Sequence, residues 1–557
     1  MKLLRRQIIL LTMALLSATT GFGQVSKIAP DLLSLLTGLL QPVNVVVQYN
    51  SAPSLLDITK LLTLGGTINA QYSLIPAIAV KLPAAVVTVL ALDPGIAYIS
   101  PDRQLTGTLD LTTAAVGADT AYQAGYTGAG VGIAIVDSGI YAHPDLASRI
   151  VYSQSFVAKT NADDYGHGTH VAGIAAGSGE SSTGPQYTRT FRGVAPKATL
   201  IDLRVLDANG MSSDSVVISA LDRAVALKNK YNIRVINLSL GRPIYESYNL
   251  DPICKAVAAA WKDGIVVVIA AGNFGRNGYG TILSPGNSPY AITVGAMKTE
   301  GTMTTSDDLI ASYSSKGPTW IDQGVKPDIV APGNLVNSLL APGSTLAKEY
   351  PGNVLPSSAY MQPGDSGPPE YFTLSGTSMA TPVVSGAAAI LIQQSPGITP
   401  DLVKARLMKT ASKTFPVASI AVDPTTGAVY PSTYDIFTVG AGYLNVWAAL
   451  NNSDTGSGFA LSPTVSWNPQ LSTTILNKSV LALWNNGVWS LAEVWGAKVV
   501  QPTINGSPAT WGYAGAWGSS AAWGDYTQWS TSAAWGDSGP WGTSAAWGDS
   551  INVTGEK

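Results

Sequence analysis

From residue 131 to 294, short runs dominated by Val, Ile, Leu and Ala alternate with longer segments whose apolar positions recur at helical spacing. The runs at 131–136, 200–205, 235–238, 265–270 and 291–294 read as strands buried on both faces of a sheet. The segments 167–177, 214–228 and 251–262 read as helices between them. Strands alternating with helices predict a mostly parallel sheet flanked by helices, an α/β fold. Helices over 378–394 and 400–411 follow, and the pattern closes near Asn451.

A different pattern occupies 43–100. A strand at 43–49 leads to a helical run through Leu55, Ile58, Leu61 and Leu62. Strands at 67–72 and 77–81, a helix at 83–92 ended by Asp93-Pro94-Gly95, and a strand at 96–100 complete it. This strand–helix–strand–strand–helix–strand order predicts a small ferredoxin-like α+β unit, which by itself could be a binding module. Before it, Lys2, Arg5 and Arg6 precede an apolar run at 8–16 and small residues up to Gly23. That is a signal-peptide layout, with cleavage expected after Gly23, and residues 24–40 carry no assignment. No later apolar run is long enough to span a bilayer, so the mature protein is expected to be exported and soluble. Beyond 452 the chain changes again. Trp511, Trp517, Trp523, Trp529, Trp535, Trp541 and Trp547 recur every six residues, mostly followed by Gly. On a strand this spacing would align every ring on one face, for packing or for binding a glycan or a surface; a low-complexity linker is equally open.

At 557 residues, two or more domains are expected. Charged residues make up only 12%, the net charge is −3 and there is no basic tract, which argues against a nucleic-acid partner. The single cysteine, Cys254, excludes intrachain disulfides and reads as a small buried hydrophobe.

Candidate chemistry begins at Gly376-Thr377-Ser378-Met379-Ala380-Thr381-Pro382. A proline here is expected in the first turn of a helix, which puts Ser378 at the N-terminus among free N–H groups suited to an oxyanion. Alone, the motif could equally be an ordinary helix cap. Asp137 ends the strand 131–136, where α/β sheets carry functional groups. His167 lies in Gly166-His167-Gly168-Thr169-His170, in a chain with only 3 histidines, and histidine is the usual base for a serine nucleophile. His167 and His170 could instead ligate a metal, but the glutamate and spacing of the zinc-protease motif are missing. His170 reads as a buried structural residue and His143 as a turn residue. Asn273, in Ala271-Gly272-Asn273 after the strand 265–270, could donate its amide to an oxyanion or simply make a turn.

Taken in order, Val136-Asp137-Ser138-Gly139-Ile140, His167-Gly168-Thr169-His170-Val171-Ala172-Gly173, Ala271-Gly272-Asn273 and Gly376-Thr377-Ser378-Met379-Ala380-Thr381-Pro382 resemble the subtilisin-like serine proteases over about 115–451. The resemblance implies Ser378 as nucleophile, His167 as general base and acid, Asp137 as its orienting carboxylate and Asn273 as oxyanion donor. It implies Ser239, Leu240 and Gly241 as substrate-binding residues, with 207–213 as a possible opposite wall and Leu283 intruding on the pocket. It also implies that 24–110 is an inhibitory propeptide removed by self-cleavage within 104–111, leaving 111–451 as the catalytic domain and 452–557 as a repeat-bearing region. The expected partners are protein or peptide substrates and the chain's own propeptide; the expected state is a monomer. No cofactor is required for the chemistry. Structural Ca²⁺ is common in the family and Asp145 stands where one ligand would be, but 178–191 lacks the usual ligand run and no metal site is assigned. The Pro/Gly/Ser-rich insertion 334–370 could be a lid, a substrate loop or decoration. Two competing classes are an inactive protease-like domain with the tryptophan tail as its working part, and a serine esterase. All four site residues are present, which opposes the first. The Gly-x-Ser-x-Gly elbow is absent around Ser378, which opposes the second.

Overall fold

The computed structural model describes residues 27–29, 32, 36, 41–72, 76–101, 109–423, 427–455, 458–468, 473–477, 494, 499–500, 503–504 and 556. The expected leader, 1–23, and the tryptophan repeats, 511–547, lie outside the described residues. The chain divides into two compact units, Met1–Thr106 and Gly107–Lys557.

In the first unit, β1 (Pro42–Tyr49), α1 (Leu55–Thr63), β2 (Thr67–Gln71), β3 (Ala77–Pro83), α2 (Ala84–Leu90) and β4 (Ile96–Pro101) follow in order. The sheet order is β2-β3-β1-β4, with every pair antiparallel. Val45, Val47, Ile78, Val80 and Leu82 point to a common core with Leu61 and Val87 from the helices. Ser54 starts α1 with a reciprocal capping box, taking the Asp57 N–H while the Asp57 carboxylate takes the Ser54 N–H. The unassigned stretch before β1 contributes Ile28, Ala29 and Leu32 to the same core, with Ile28 bridged to Ile99.

The second unit is built on β5 (Gly132–Asp137), β6 (Ile150–Ser155), α3 (His167–Ala176), β7 (Thr199–Arg204), α4 (Asp214–Tyr231), β8 (Ile233–Leu238), α5 (Pro252–Lys262), β9 (Val266–Ala270), β10 (Ile292–Lys298), β11 (Leu309–Ile310) and β12 (Ile329–Pro332). The strands form one sheet in the order β11-β10-β9-β8-β5-β7-β6, with β12 also on β10. All its pairs are parallel except β10 with β11. The strand order reverses at β5, so the carboxyl ends of β5, β8 and β9 border the crevice where such sheets place their chemistry. Edge strand β6 escapes the sequence pattern because only one of its six residues is exposed and none is fully buried, so no apolar run marks it.

The insertion after β12 is folded. β13 (Val336–Leu339), β14 (Val354–Leu355) and β15 (Tyr371–Leu374) form an antiparallel sheet in the order β13-β15-β14. Tyr360 and Tyr371 pack edge to face at 5.0 Å, with Phe191 4.5 Å from Tyr371. Next comes α6 (Thr377–Gln394), buried from Thr377 to Ile392 and packed against β8, β9, β10 and α3. Its small residues allow that approach: a side-chain carbon at Gly386 would lie 2.6 Å from Val194 Cβ. Helix α7 (Pro400–Thr410) and the hairpin β16 (Ala418–Val422) with β17 (Val429–Thr433) follow. Past residue 451 the chain stays attached to this unit. The Val465 N–H donates to Gln323 O, and Val465 joins a cluster with Val325, Met408 and Phe437. Among the described residues, no helix is long and apolar enough to cross a membrane.

Candidate active site

Asp137 is the last residue of β5 and wholly buried. Its Oδ1 receives the Ser138 N–H at 2.8 Å and lies 2.7 Å from His167 Nδ1. A carboxylate on Nδ1 places the proton there and leaves Nε2 as the basic nitrogen. His167 opens α3 after Gly166, whose φ of 100° only glycine adopts readily. Space also demands a glycine there: a side-chain carbon would meet Ser344 Oγ at 2.4 Å. The first turn of α3 is tied down by Asp163, which no sequence motif singles out. This buried carboxylate accepts Ser138 Oγ–H at 2.7 Å, Gly166 N–H at 2.7 Å, and the Thr169 N–H and Oγ1–H at 2.9 and 2.6 Å. Burial pushes its pKa up against these donors. Only its place shortly before Gly166-His167 could have drawn attention to it.

His170, further along the same helix, is fully buried, and its Nε2 faces Phe372 O at 2.9 Å and Val336 O at 3.1 Å. Donating that one N–H to both carbonyls, it ties α3 to the inserted sheet. Burial pulls its pKa down to about 3.

Ser378 is the second residue of α6 and 1% exposed. Its hydroxyl donates to Ser239 O at 3.2 Å. Pro382 is not in the first turn, as the sequence suggested, but inside the helix. Lacking an N–H, it leaves the Ser378 carbonyl without its helical partner. The Ser239 hydroxyl supplies one, donating to Ser378 O at 2.9 Å. Ser239 is itself held by the Asn237 amide at 2.9 Å, and Asn237 Oδ1 takes the Ser385 hydroxyl at 2.8 Å. The carbonyl that proline frees is thus satisfied from the end of β8, beside the nucleophile candidate.

Asn273 follows β9. Its Oδ1 accepts the Thr377 N–H at 2.9 Å and the Thr377 hydroxyl at 3.1 Å. Two donors on one side fix the amide orientation, so Nδ2 faces away from Thr377. Among the described residues, His167 Nε2, Asn273 Nδ2 and Asp137 Oδ2 are buried with no hydrogen-bond partner. Buried polar groups are ordinarily paired, and each orphan asks for an explanation. A base nitrogen left open on the Asp137 pair, and an amide donor left open beside the turn into Ser378, suit a site that completes its bonds with substrate.

Gly241 and Gly272 meet at Leu283. Side-chain carbons added at these glycines would lie 3.0 Å from Leu283 Cβ and 2.7 Å from Leu283 Cγ respectively, so Leu283 fills the space beside the segment Ser239-Leu240-Gly241. Asp145 does not fit a Ca²⁺ site. Its two carboxylate oxygens take the N–H groups of Ser181 at 2.8 Å and Gly179 at 3.1 Å, a donor environment that opposes a cation. Cys254 is buried with Sγ 3.2 Å from Asn287 Oδ1, and burial pushes its thiol far up, which makes it inert.

The profile of the Subtilase family matches residues 128–442. Serine protease AprX of Bacillus subtilis (strain 168) is 40% identical over 341 residues, covering 59% of this chain and 73% of its own. Subtilisin E of the same organism is 34% identical over 356 residues, covering 62% of this chain and 78% of its own. The solved structure of Sphericase aligns at 30% identity over 57% of this chain and 92% of its own, with a TM-score of 0.43. With more than half its length matched by the family profile and nearly three quarters of a 40%-identical relative covered, the chain belongs to the subtilase family and is a serine-type endopeptidase.

Proposed function

We propose that the chain is an exported endopeptidase made as a zymogen that processes itself. Residues 1–23 are the leader, 24–110 the propeptide, 111–451 the catalytic domain and 452–557 an appended region. Ser378 Oγ attacks the substrate carbonyl while His167 Nε2 takes its proton. The Asn273 amide and the Ser378 N–H receive the oxyanion. His167 then protonates the leaving amine, and water releases the acyl group by the same route in reverse. Asp137 keeps the Nδ1 proton in place and stabilises the imidazolium. Ser239, Leu240 and Gly241 pair with the backbone of an extended peptide, which gives affinity with little demand on sequence. Leu283 beside Gly241 favours a small side chain before the cut.

One observation carries this reading: beside the 2.7 Å Asp137–His167 Nδ1 contact, His167 Nε2 is buried and unpartnered among the described residues, and so is the Asn273 amide nitrogen. Ser378 Oγ now points to Ser239 O, and rotation about its Cα–Cβ bond re-aims it, since catalytic hydrogen bonds often tighten only with substrate. The zymogen part is supported by the first unit's split β-α-β-β-α-β order, which suits a subtilase propeptide. The test is N-terminal sequencing and casein digestion for wild type and Ser378→Ala. The expected result is a wild type that starts within 104–111 and digests casein, beside an uncut, inert variant. A Ser378→Ala chain that still matures or digests casein overturns the proposal.

A further inference from the structure

Beyond the catalytic machinery, a second polar site is built on the same unit around Glu556, near the far end of the sequence. Glu556 is 7% exposed, although acidic side chains are almost never buried unless paired. Its carboxylate accepts the Ser312 N–H, at 3.1 Å to Oε1 and 3.0 Å to Oε2, and the Ser312 hydroxyl. Arg276 Nη2 donates to Oε1 at 3.0 Å. The backbone of Glu556 is read separately: its N–H donates to Asn334 Oδ1 at 2.8 Å, and its C=O accepts Asn334 Nδ2 at 2.7 Å.

The receiving groups are themselves fixed. The Arg276 guanidinium lies 4.6 Å from the Tyr430 ring centroid and 3.5 Å from Asp423, and its Nε donates to Ser312 Oγ at 2.9 Å. Ser312 and Asn334 are 1% and 6% exposed. An amide that both accepts from and donates to one residue's backbone recognises extended chain whatever its side chain. A guanidinium with an N–H and a hydroxyl converging on one point recognises a carboxylate. Together they select an acidic residue in an extended segment.

The site borders the catalytic residues through the chain. Asn334 follows Gly333, whose carbonyl takes the Gly376 N–H at 2.8 Å just before Ser378. Arg276 follows Asn273 closely, and the intervening Gly275 donates its N–H to Tyr313 O, next to Ser312, at 2.8 Å.

We propose that Arg276, Ser312 and Asn334 form a docking site for an acidic residue of an extended chain segment, and that Glu556 of the same chain occupies it. The latch holds Glu556 beside the turn that carries Asn273 and the segment that leads into α6 and Ser378. Vacated, the site offers the same chemistry to an acidic peptide from outside. The proposal rests on these contacts and not on the protease reading.

The test uses whole chains carrying Ser378→Ala, so that nothing is cut, and a labelled amidated peptide of residues 551–557. Chains with Glu556→Ala or Glu556→Gln are expected to bind the peptide about tenfold or more tightly than the chain with Glu556 in place, because the tethered occupant competes at high effective concentration. A peptide with Gln in place of its Glu, or a chain with Arg276→Ala added, is expected to lose about tenfold or more, the worth of a charge-assisted hydrogen bond. Equal binding to vacant and occupied chains, equal binding of the Glu and Gln peptides, or no binding to either vacated variant overturns the proposal. Thermal unfolding of each variant confirms that a folded chain was tested.

Discussion

Ser378 depends on a carbonyl as well as on its hydroxyl. Because Pro382 cannot donate to Ser378 O, Ser239→Ala leaves that buried carbonyl unpaired, a loss of about 1–3 kcal/mol. Adding Pro382→Ala restores a helical N–H to the same oxygen. The double variant is therefore expected to recover part of the loss, measured by denaturant unfolding in the Ser378→Ala background to prevent autolysis. Two additive losses would contradict the coupling. At the oxyanion, Asn273→Ala is expected to lower kcat by roughly 10²–10³ with little change in KM, measured on a peptide amide substrate. Asp137, His167, Asn273 and Ser378 could be singled out from sequence because each sits in a short distinctive motif. The Ser239–Ser378 bond could not, since its partners are 139 residues apart. Asp163 was hidden for a related reason: its role depends on where Ser138 and Thr169 arrive in space.

At the scale of elements, α3 is held from outside the sheet. The insertion that composition left open supplies Val336 O and Phe372 O to His170, and Ser344 packs over Gly166. This makes the attachment of α3 sensitive to acid. The folded-state pKa of His170, about 3, lies below its ordinary 6.5, so the unfolded chain takes up the proton first. The contribution is complete above pH 6.5 and is lost progressively as pH falls toward 3, on the order of a few kcal/mol. Melting temperature followed from about pH 6.5 to about pH 4, inside that window, is expected to fall less steeply for His170→Gln than for the chain with His170; equal slopes would contradict it. The central strands and helices were legible because long apolar or helical runs leave little choice. Edge strand β6 was not, because it is only partly buried, and the short strands β11, β13, β14 and β15 were not, because elements so short owe their pairing to neighbours rather than to their own pattern.

Across the whole molecule, one buried charge cluster joins the sheet to the chain beyond the expected domain end at 451. Asp328, next to β12, lies 2.6 Å from Lys326 Nζ and 3.0 Å from Lys404 Nζ of α7, and it accepts the Ser462 hydroxyl at 2.6 Å. Removing the shared carboxylate strands two buried ammonium groups. Asp328→Ala is expected to cost about 3–5 kcal/mol in denaturant unfolding, whereas a loss under about 1 kcal/mol would show that the cluster is not a tie. No local pattern announces such a cluster, since a lone Asp or Lys in sequence reads as surface. The proposed nucleophile of this subtilase is Ser378, activated by His167. The most direct measurement is intact and peptide-level mass after treatment with a fluorophosphonate, which reacts only with an activated serine. One adduct is expected, on the peptide that contains Ser378, and none in His167→Ala. An adduct on another residue, or undiminished labelling of His167→Ala, would contradict it.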